Sequence, residues 1–218
     1  MKKTLFACLL TFYTLTAFAQ TGQNPQIIHT KERSAIHVPP QEAPAGLKKI
    51  YNNLGKSKTY LYDDTEAWGI FGPDSGGCCT EFAAMPFTPK SNSHVSQVQV
   101  AVQYNSGANQ VNLSIYSDSY GAPGTLLAGP VTVTNLPEAG TCCTLAIAGF
   151  TPLAVTGGTQ YWVIVDTPLS GTGSDFSGQW SEVVKPVVPV GYYCSVCGGW
   201  LVLNAYDLMA GEVLGTIP

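Results

Sequence analysis

The sequence predicts an all-β protein: a two-sheet antiparallel β-sandwich, jelly-roll-like, preceded by an extended N-terminal arm. Three observations carry that expectation. Short apolar segments of strand length recur from residue 59 onward, separated by polar turns, and no segment keeps helical periodicity beyond about three turns. The 218 residues include 23 Gly and 15 Pro, and only 11% are charged, against about 25% in an average soluble domain. Hydrophobic residues still reach 45%, enough for one packed core and too many for a disordered chain.

The chain opens with Met1-Lys2-Lys3, an apolar run from Leu5 to Phe18, and the small-x-small triplet Ala17-Phe18-Ala19 before Gln20. This is the layout of a secretory leader, so residues 1–19 are expected to be removed and Gln20 to become the mature N-terminus. The run of 14 residues is too short for a membrane span, which needs roughly 20. Cys8 stands too early in it for lipidation, and no other segment is long and apolar enough to cross a bilayer. The expected location is extracellular, cell-surface or periplasmic, with no transmembrane segment in the mature chain.

Residues 20–49 carry Pro25, Pro39, Pro40 and Pro44 with little apolar periodicity and read as an exposed arm. Leu47, Ile50, Tyr51 and Leu54 then fall at helical spacing, but so short a segment fits an opening strand through Tyr51–Leu54 equally well. The sandwich domain is placed at 50–218. Val98, Val100, Val102 and Tyr104 alternate with polar or small residues, a turn follows at 105–109, and Val111, Leu113 and Ile115 alternate in turn. This predicts a hairpin with one buried and one wet face. Asp118–Gly124 supplies a long turn, and further strands are expected at 131–133, 145–147, 161–165, 179–184 and 200–206. Tyr161-Trp162-Val163-Ile164-Val165 is apolar on both faces and belongs in the middle of a sheet.

Charge is unevenly placed. Residues 20–58 hold Lys31, Arg33, Lys48, Lys49, Lys56 and Lys58 against Glu32 and Glu42, whereas from residue 59 onward only Lys90 and Lys185 face 12 acidic residues. A basic arm thus precedes an acidic sandwich, and the arm is expected to fold back on the sandwich or to reach an anionic surface. The net charge of −4 argues against nucleic acid as a partner.

Loss of the leader leaves Cys78, Cys79, Cys142, Cys143, Cys194 and Cys197, an even set that in an exported chain favours structural disulfides. Cys194-Ser195-Val196-Cys197 can close on itself; a redox pair would want a helix start after a strand, and a zinc ribbon a second such pair. On extended chain the neighbours Cys78-Cys79 and Cys142-Cys143 would point to opposite faces, so each pair could bond to two places. A vicinal disulfide within a pair is the less common alternative.

Phe87-Thr88-Pro89, the strand Val95–Tyr104, Leu113-Ser114-Ile115-Tyr116-Ser117-Asp118, Ala122-Pro123-Gly124, Leu126-Leu127-Ala128, Leu153 and Gly158-Thr159-Gln160-Tyr161-Trp162-Val163-Ile164-Val165 follow one another in a recurring order. The chain resembles exported bacterial β-sandwich proteins described as choice-of-anchor R domain proteins, over roughly residues 50–215, most specifically in Gly-Thr-Gln-Tyr-Trp. The resemblance implies that Tyr51–Gly55 opens the sandwich as a strand and that paired cysteines recur. It implies no activity for particular residues, and no sorting signal is expected after Gly211–Pro218.

Catalytic constellations are sparse. Asp74-Ser75-Gly76-Gly77 matches the nucleophile segment of chymotrypsin-like proteases, but only His29 and His37 precede Ser75, and too little chain lies upstream to build that fold. His94, in a polar stretch at a strand start, is the third and last histidine. Glu66, Glu81 and Glu182 are the glutamates placed to form a carboxylate pair, with turn or surface roles expected. Asp63, Asp64, Asp118 and Asp175 could supply oxygen ligands for a structural calcium ion, but no loop has the ligand density of an EF-hand. Trp162 is expected in the core. Trp180, Tyr192, Tyr193 and Trp200 flank Gly- and Ser-rich loops and could stack on the apolar face of a sugar. The expected function is non-catalytic, cofactor-free interaction in the envelope or outside the cell, with a glycan or another envelope component as partner. Carbohydrate binding by the aromatics is the alternative, and an extracellular hydrolase the second.

Overall fold

The computed structural model describes residues 27–29, 43–55, 61–141 and 144–218. The leader, most of the arm, and Cys142 and Cys143 lie outside the described residues. In chain order the strands are β1 (Ile27–His29), β2 (Lys48–Asn52), β3 (Asp63–Phe71), β4 (Glu81–Phe87), β5 (Ser93–Val100), β6 (Val102–Ser106), β7 (Gln110–Ser119), β8 (Ala122–Thr134), β9 (Ala146–Val155), β10 (Tyr161–Asp166), β11 (Ser177–Cys194), β12 (Gly199–Met209) and β13 (Gly211–Thr216). They form two sheets. Nine strands build the larger, along the path β1-β3-β11-β4-β10-β7-β8, with β6 and β12 also paired to β11; four build the smaller, in the order β2-β13-β5-β9. The strand ladders are antiparallel, as a chain of short strands and tight turns requires.

Alternation sorts the side chains. Val163 and Val165 of β10, Met85 and Phe87 of β4, and Leu113 and Ile115 of β7 face the smaller sheet and meet Val95, Val98, Val100 and Val213 in one buried cluster. Their neighbours Trp162, Ile164 and Ala84 point the other way and form a second, smaller cluster edged by Tyr116 and Trp200. The strand 161–165 is therefore buried on both faces between β4 and β7, as its apolar run predicts. Close approach on the outer face depends on Gly191. A Cβ there would lie 2.8 Å from that of Ala84 and 3.3 Å from the Pro123 ring.

Two strands change sheets. β5 belongs to the smaller sheet and β6 to the larger, and the chain crosses at Ala101; β12 and β13 do the same at Ala210. The crossings are stitched together with Ser181 of β11: Ala101 N donates to Ala210 O (3.1 Å), Ala210 N to Ser181 O (2.8 Å) and Ser181 N to Ala101 O (3.0 Å). All three residues are buried. The Trp180 indole adds a donor to Ala210 O at 2.9 Å. The Asn53 amide donates to Met209 O at 2.7 Å and accepts from Gly211 N at 2.8 Å.

This crossing corrects the expected hairpin of residues 97–116. β6 pairs with β11 and β7 with β8 and β10, because the alternating run is divided between two sheets at Ala101. Residues 48–52 form a strand, paired with β13, so the opening of the domain is extended and Lys48 and Lys49 belong to the sandwich. Lys49 Nζ lies 2.9 Å from Glu212 Oε2, a carboxylate that is buried. Part of the basic arm folds back as well, since Ile27–His29 pairs antiparallel with β3.

Asn53→Ala is expected to leave Met209 O and Gly211 N without these partners in a dry site and to destabilise the fold by about 2–4 kcal/mol. Urea unfolding of wild type and variant, read by tryptophan fluorescence, measures this; a loss below about 0.5 kcal/mol would show that the crossing does not depend on Asn53.

Candidate functional site

At one end of the larger sheet, β4, β11 and β12 run side by side. Tyr193 stands opposite Phe82 on one side and Trp200 on the other. The three rings make a cross-strand row, Phe82 stacked on Tyr193 at 5.2 Å and Tyr193 meeting Trp200 edge-on at 5.6 Å. Tyr193 and Trp200 are half-buried, so the row opens to solvent at its β12 end. The next row holds Glu81, Cys194 and Gly199. A Cys194–Cys197 disulfide, Cα to Cα 5.1 Å, staples the short turn between β11 and β12.

The segment before β4 is tied to that turn. Thr80 N donates to Ser195 Oγ and Ser195 N to Thr80 O, both at 3.1 Å. This fixes Cys78 and Cys79 beside the end of the sheet, where both are free thiols. The expectation of structural disulfides at these two positions is corrected: the chain at 73–79 is a bend, not a strand, so the neighbouring side chains converge. Their sulfurs lie 2.8 Å apart, and Cys79 Sγ donates to Glu81 Oε1 at 3.2 Å. Burial, then hydrogen bonding to Cys78 and Glu81, pushes the Cys79 thiol up to about 12. Burial also raises the Tyr192 hydroxyl, which lies near the Glu81 carboxylate and feels its charge.

Of the four aromatics expected to form a platform, the structure brings only Tyr193 and Trp200 to the surface. Trp180 and Tyr192 are core residues, 0% and 1% exposed, and the expectation for them is corrected. Trp180 faces inward because its N–H serves the crossing at Ala210. Tyr192 alternates with Tyr193 along β11 and so faces the opposite side of the sheet, packing near Trp68.

Of the four aspartates, Asp118 and Asp175 occupy separate sites. Asp118 accepts from Trp162 Nε1 and Gln160 Nε2, both 2.8 Å from Oδ1, and from Gly121 N at 3.0 Å. Partial burial works against the charged form, but these three donors outweigh it and hold the carboxyl below its ordinary range. A carboxylate so surrounded by N–H groups clasps an indole rather than a metal ion. Asp175 lies in a different loop, where Oδ1 accepts from Ala108 N. Asp63 and Asp64 begin β3, and their side chains lie outside the described residues.

Two groupings form in the structure, and the second brings together Glu66 and Glu182, two of the three glutamates named from the sequence as candidates for a carboxylate pair. Cys78, Cys79 and Glu81 come within 4.8 Å of one another, and so do Glu66, Glu182 and Asp207. The first had no local signal, because Cys79 stands in a bend and Glu81 opens β4. The second joins three strands, beside a cavity of about 220 Å³ that Ile27 of the arm helps to line; only its third member, Asp207, had no signal in the sequence. Neither Glu66 nor Glu182 is left unengaged. The Asp74–Gly77 segment is a surface turn whose Asp74 carboxylate accepts from Ser174 Oγ, whereas His94 lies exposed on the smaller sheet. No protein-family model, curated protein or solved structure matches this chain.

Asp166 ends β10 beside Asn112, and burial pushes its carboxyl up from 3.8 to about 6. The native chain therefore holds a proton that the unfolded chain has released. That stabilisation is full below about pH 4 and lost as pH rises through about 6. Unfolding free energy should fall across this window by at most about 3 kcal/mol, less where solvent reaches the carboxyl. Denaturant titrations should show Asp166→Asn flattening the decline; an unchanged slope would assign it elsewhere.

Proposed function

We propose that the chain is exported by cleavage before Gln20 and acts outside the cytoplasm as a non-catalytic interaction domain, a jelly-roll-like sandwich of the choice-of-anchor R type. The observation that carries this reading is the ring row Phe82–Tyr193–Trp200, which is anchored in the sheet and ends on a half-buried indole beside the Cys194–Cys197 disulfide. A rigid aromatic pair held by strands keeps little side-chain entropy to lose on binding, the usual property of an interface anchor. The disulfide supports an oxidising compartment. The Asp118 clasp joins two of the segments on which the resemblance rests, Tyr116-Ser117-Asp118 and Gly-Thr-Gln-Tyr-Trp, through Gln160 and Trp162.

A glycan or glycan-bearing envelope component is the partner class that a Trp–Tyr surface suits, because a ring face stacks on the apolar face of a pyranose. The alternative of a four-ring platform is reduced to this pair.

N-terminal sequencing of exported protein should begin at Gln20, and recovery of uncleaved chain in the cytoplasm would refute the export reading. In depletion assays on peptidoglycan, chitin and cellulose, the mature chain should be retained on at least one, and Trp200→Ala should weaken retention about tenfold, a loss of about 1.4 kcal/mol. Trp200→Phe should keep part of the affinity. Binding that survives Trp200→Ala, or no retention by wild type, would overturn the glycan reading.

A further inference from the structure

Cys78 and Cys79 hold their sulfurs closer together than two free thiols or two ligands of one zinc ion would stand. Their sulfurs are 2.8 Å apart, well inside the roughly 3.5–4.0 Å at which unbonded heavy atoms settle. Two thiolates on one tetrahedral zinc ion, each at about 2.3 Å, would stand roughly 3.8 Å apart, so the pair as it stands lies nearer to bonding with itself than to sharing an ion. A cystine between neighbours closes almost no loop and hence constrains the unfolded chain little, which removes stabilisation as its purpose.

The surroundings point to chemistry. Cys78 is exposed and follows the Gly76-Gly77 turn. Cys79 is partly covered and donates to Glu81 Oε1 at 3.2 Å. Glu81 is 3% exposed, and the Tyr192 hydroxyl lies near its carboxylate. A nearly buried carboxylate is costly, and here one of its oxygens is aimed at a thiol proton. The Thr80–Ser195 pair pins the segment to the stapled turn, so the two thiols are held in register rather than on a loose loop.

We propose that Cys78 and Cys79 are a redox-active dithiol that closes to a vicinal disulfide by exchange with a low-molecular-weight disulfide, Glu81 taking the proton from Cys79. Cys78 Sγ, as thiolate, attacks one sulfur of the small disulfide; that S–S bond breaks, one half leaves as a thiolate, and a mixed disulfide forms on Cys78. Cys79 Sγ then attacks Cys78 Sγ while its proton passes to the Glu81 carboxylate and on to water, and the second half leaves. The pair loses two electrons, and the small disulfide gains them and departs as two thiols. Cys79 stays protonated at neutral pH, which casts it as the resolving thiol and makes a neighbouring base necessary.

The test uses the mature chain, reduced mildly enough to leave Cys194–Cys197 intact, then exposed to oxidised glutathione at neutral pH and mapped by tandem mass spectrometry. Mapping keeps this pair separate from Cys142–Cys143. Wild type should lose two hydrogen atoms within the Cys78–Cys79 peptide, reversibly on adding reduced glutathione, and stoichiometric phenylarsine oxide should block the reaction. Cys79→Ser should stop at glutathione on Cys78, and Glu81→Gln should slow closure about tenfold or more. The exposed Cys78→Ser variant, which no packing should oppose, should leave Cys79 largely unmodified. The proposal is overturned if wild type stops at the mixed disulfide, if both thiols remain free, if Glu81→Gln closes at the wild-type rate, or if anaerobically purified protein retains one zinc ion that masks both thiols.

Discussion

At Ala101 and Ala210 the chain leaves one sheet for the other, and three backbone hydrogen bonds join these two residues to Ser181 at the centre of the molecule. Because both crossings share one set of bonds, the spacing of the two sheets is fixed at that point. The constraint selects the residues around it. Ala101, Ser181 and Ala210 are small because backbones approach closely there, and all are buried. A crossing interrupts the ladders, so backbone groups that a strand would pair need side chains instead, and Asn53 and Trp180 supply them. β11, which contains Ser181, is the longest strand and touches β3, β4, β6 and β12. Its far end, Tyr192–Cys194, carries the ring row and the stapled turn, so the candidate site is an extension of the strand that holds the crossing.

The fold class was legible because alternation and turn chemistry are local. The strand through Trp162 was recognisable from being apolar on both faces, and it lies where that pattern requires. The crossing was not legible, since Val98–Tyr104 alternates without a break and the sheet change at Ala101 leaves no mark on a period of two. The same limit applied to the aromatics. Trp180, Tyr192, Tyr193 and Trp200 have similar sequence surroundings, and what separates them is the phase of β11 and the demand of Ala210 O for a donor, both tertiary facts. Cys78-Cys79 was misread for a related reason: extended chain was assumed where the Gly76-Gly77 turn bends it.

Trp162 shows how the outer face was made dry without a third layer of structure. Its ring lies on the side of the sheet away from the main core, yet it is fully buried. The close approach of Pro123 to Gly191, and the Asp118 clasp on its indole N–H, bring the β7–β8 turn over it. Asp118 is thus fixed by three N–H groups in a place where a charge would otherwise be costly.

That arrangement is general in this sandwich, where cations are scarce and carboxylates are many. Asp118 is satisfied by N–H groups, Asp175 by Ala108 N, Asp74 by the Ser174 hydroxyl, and Glu212 by Lys49, which comes from the basic segment that opens the domain. In each case the partner is a better donor than a thiol. Glu81 is as deeply placed as Glu212, but the donor to its Oε1 is Cys79, a weak one. Stability alone would favour a lysine within reach, as at Glu212, or a neutral residue. A cation there would draw the Cys79 proton off and lower the thiol, whereas the carboxylate keeps the thiol protonated yet stands ready to receive that proton when a bond forms at sulfur. The energetic cost at Glu81 is therefore intelligible as the consequence of placing a base beside a resolving thiol in a domain with almost no positive charge.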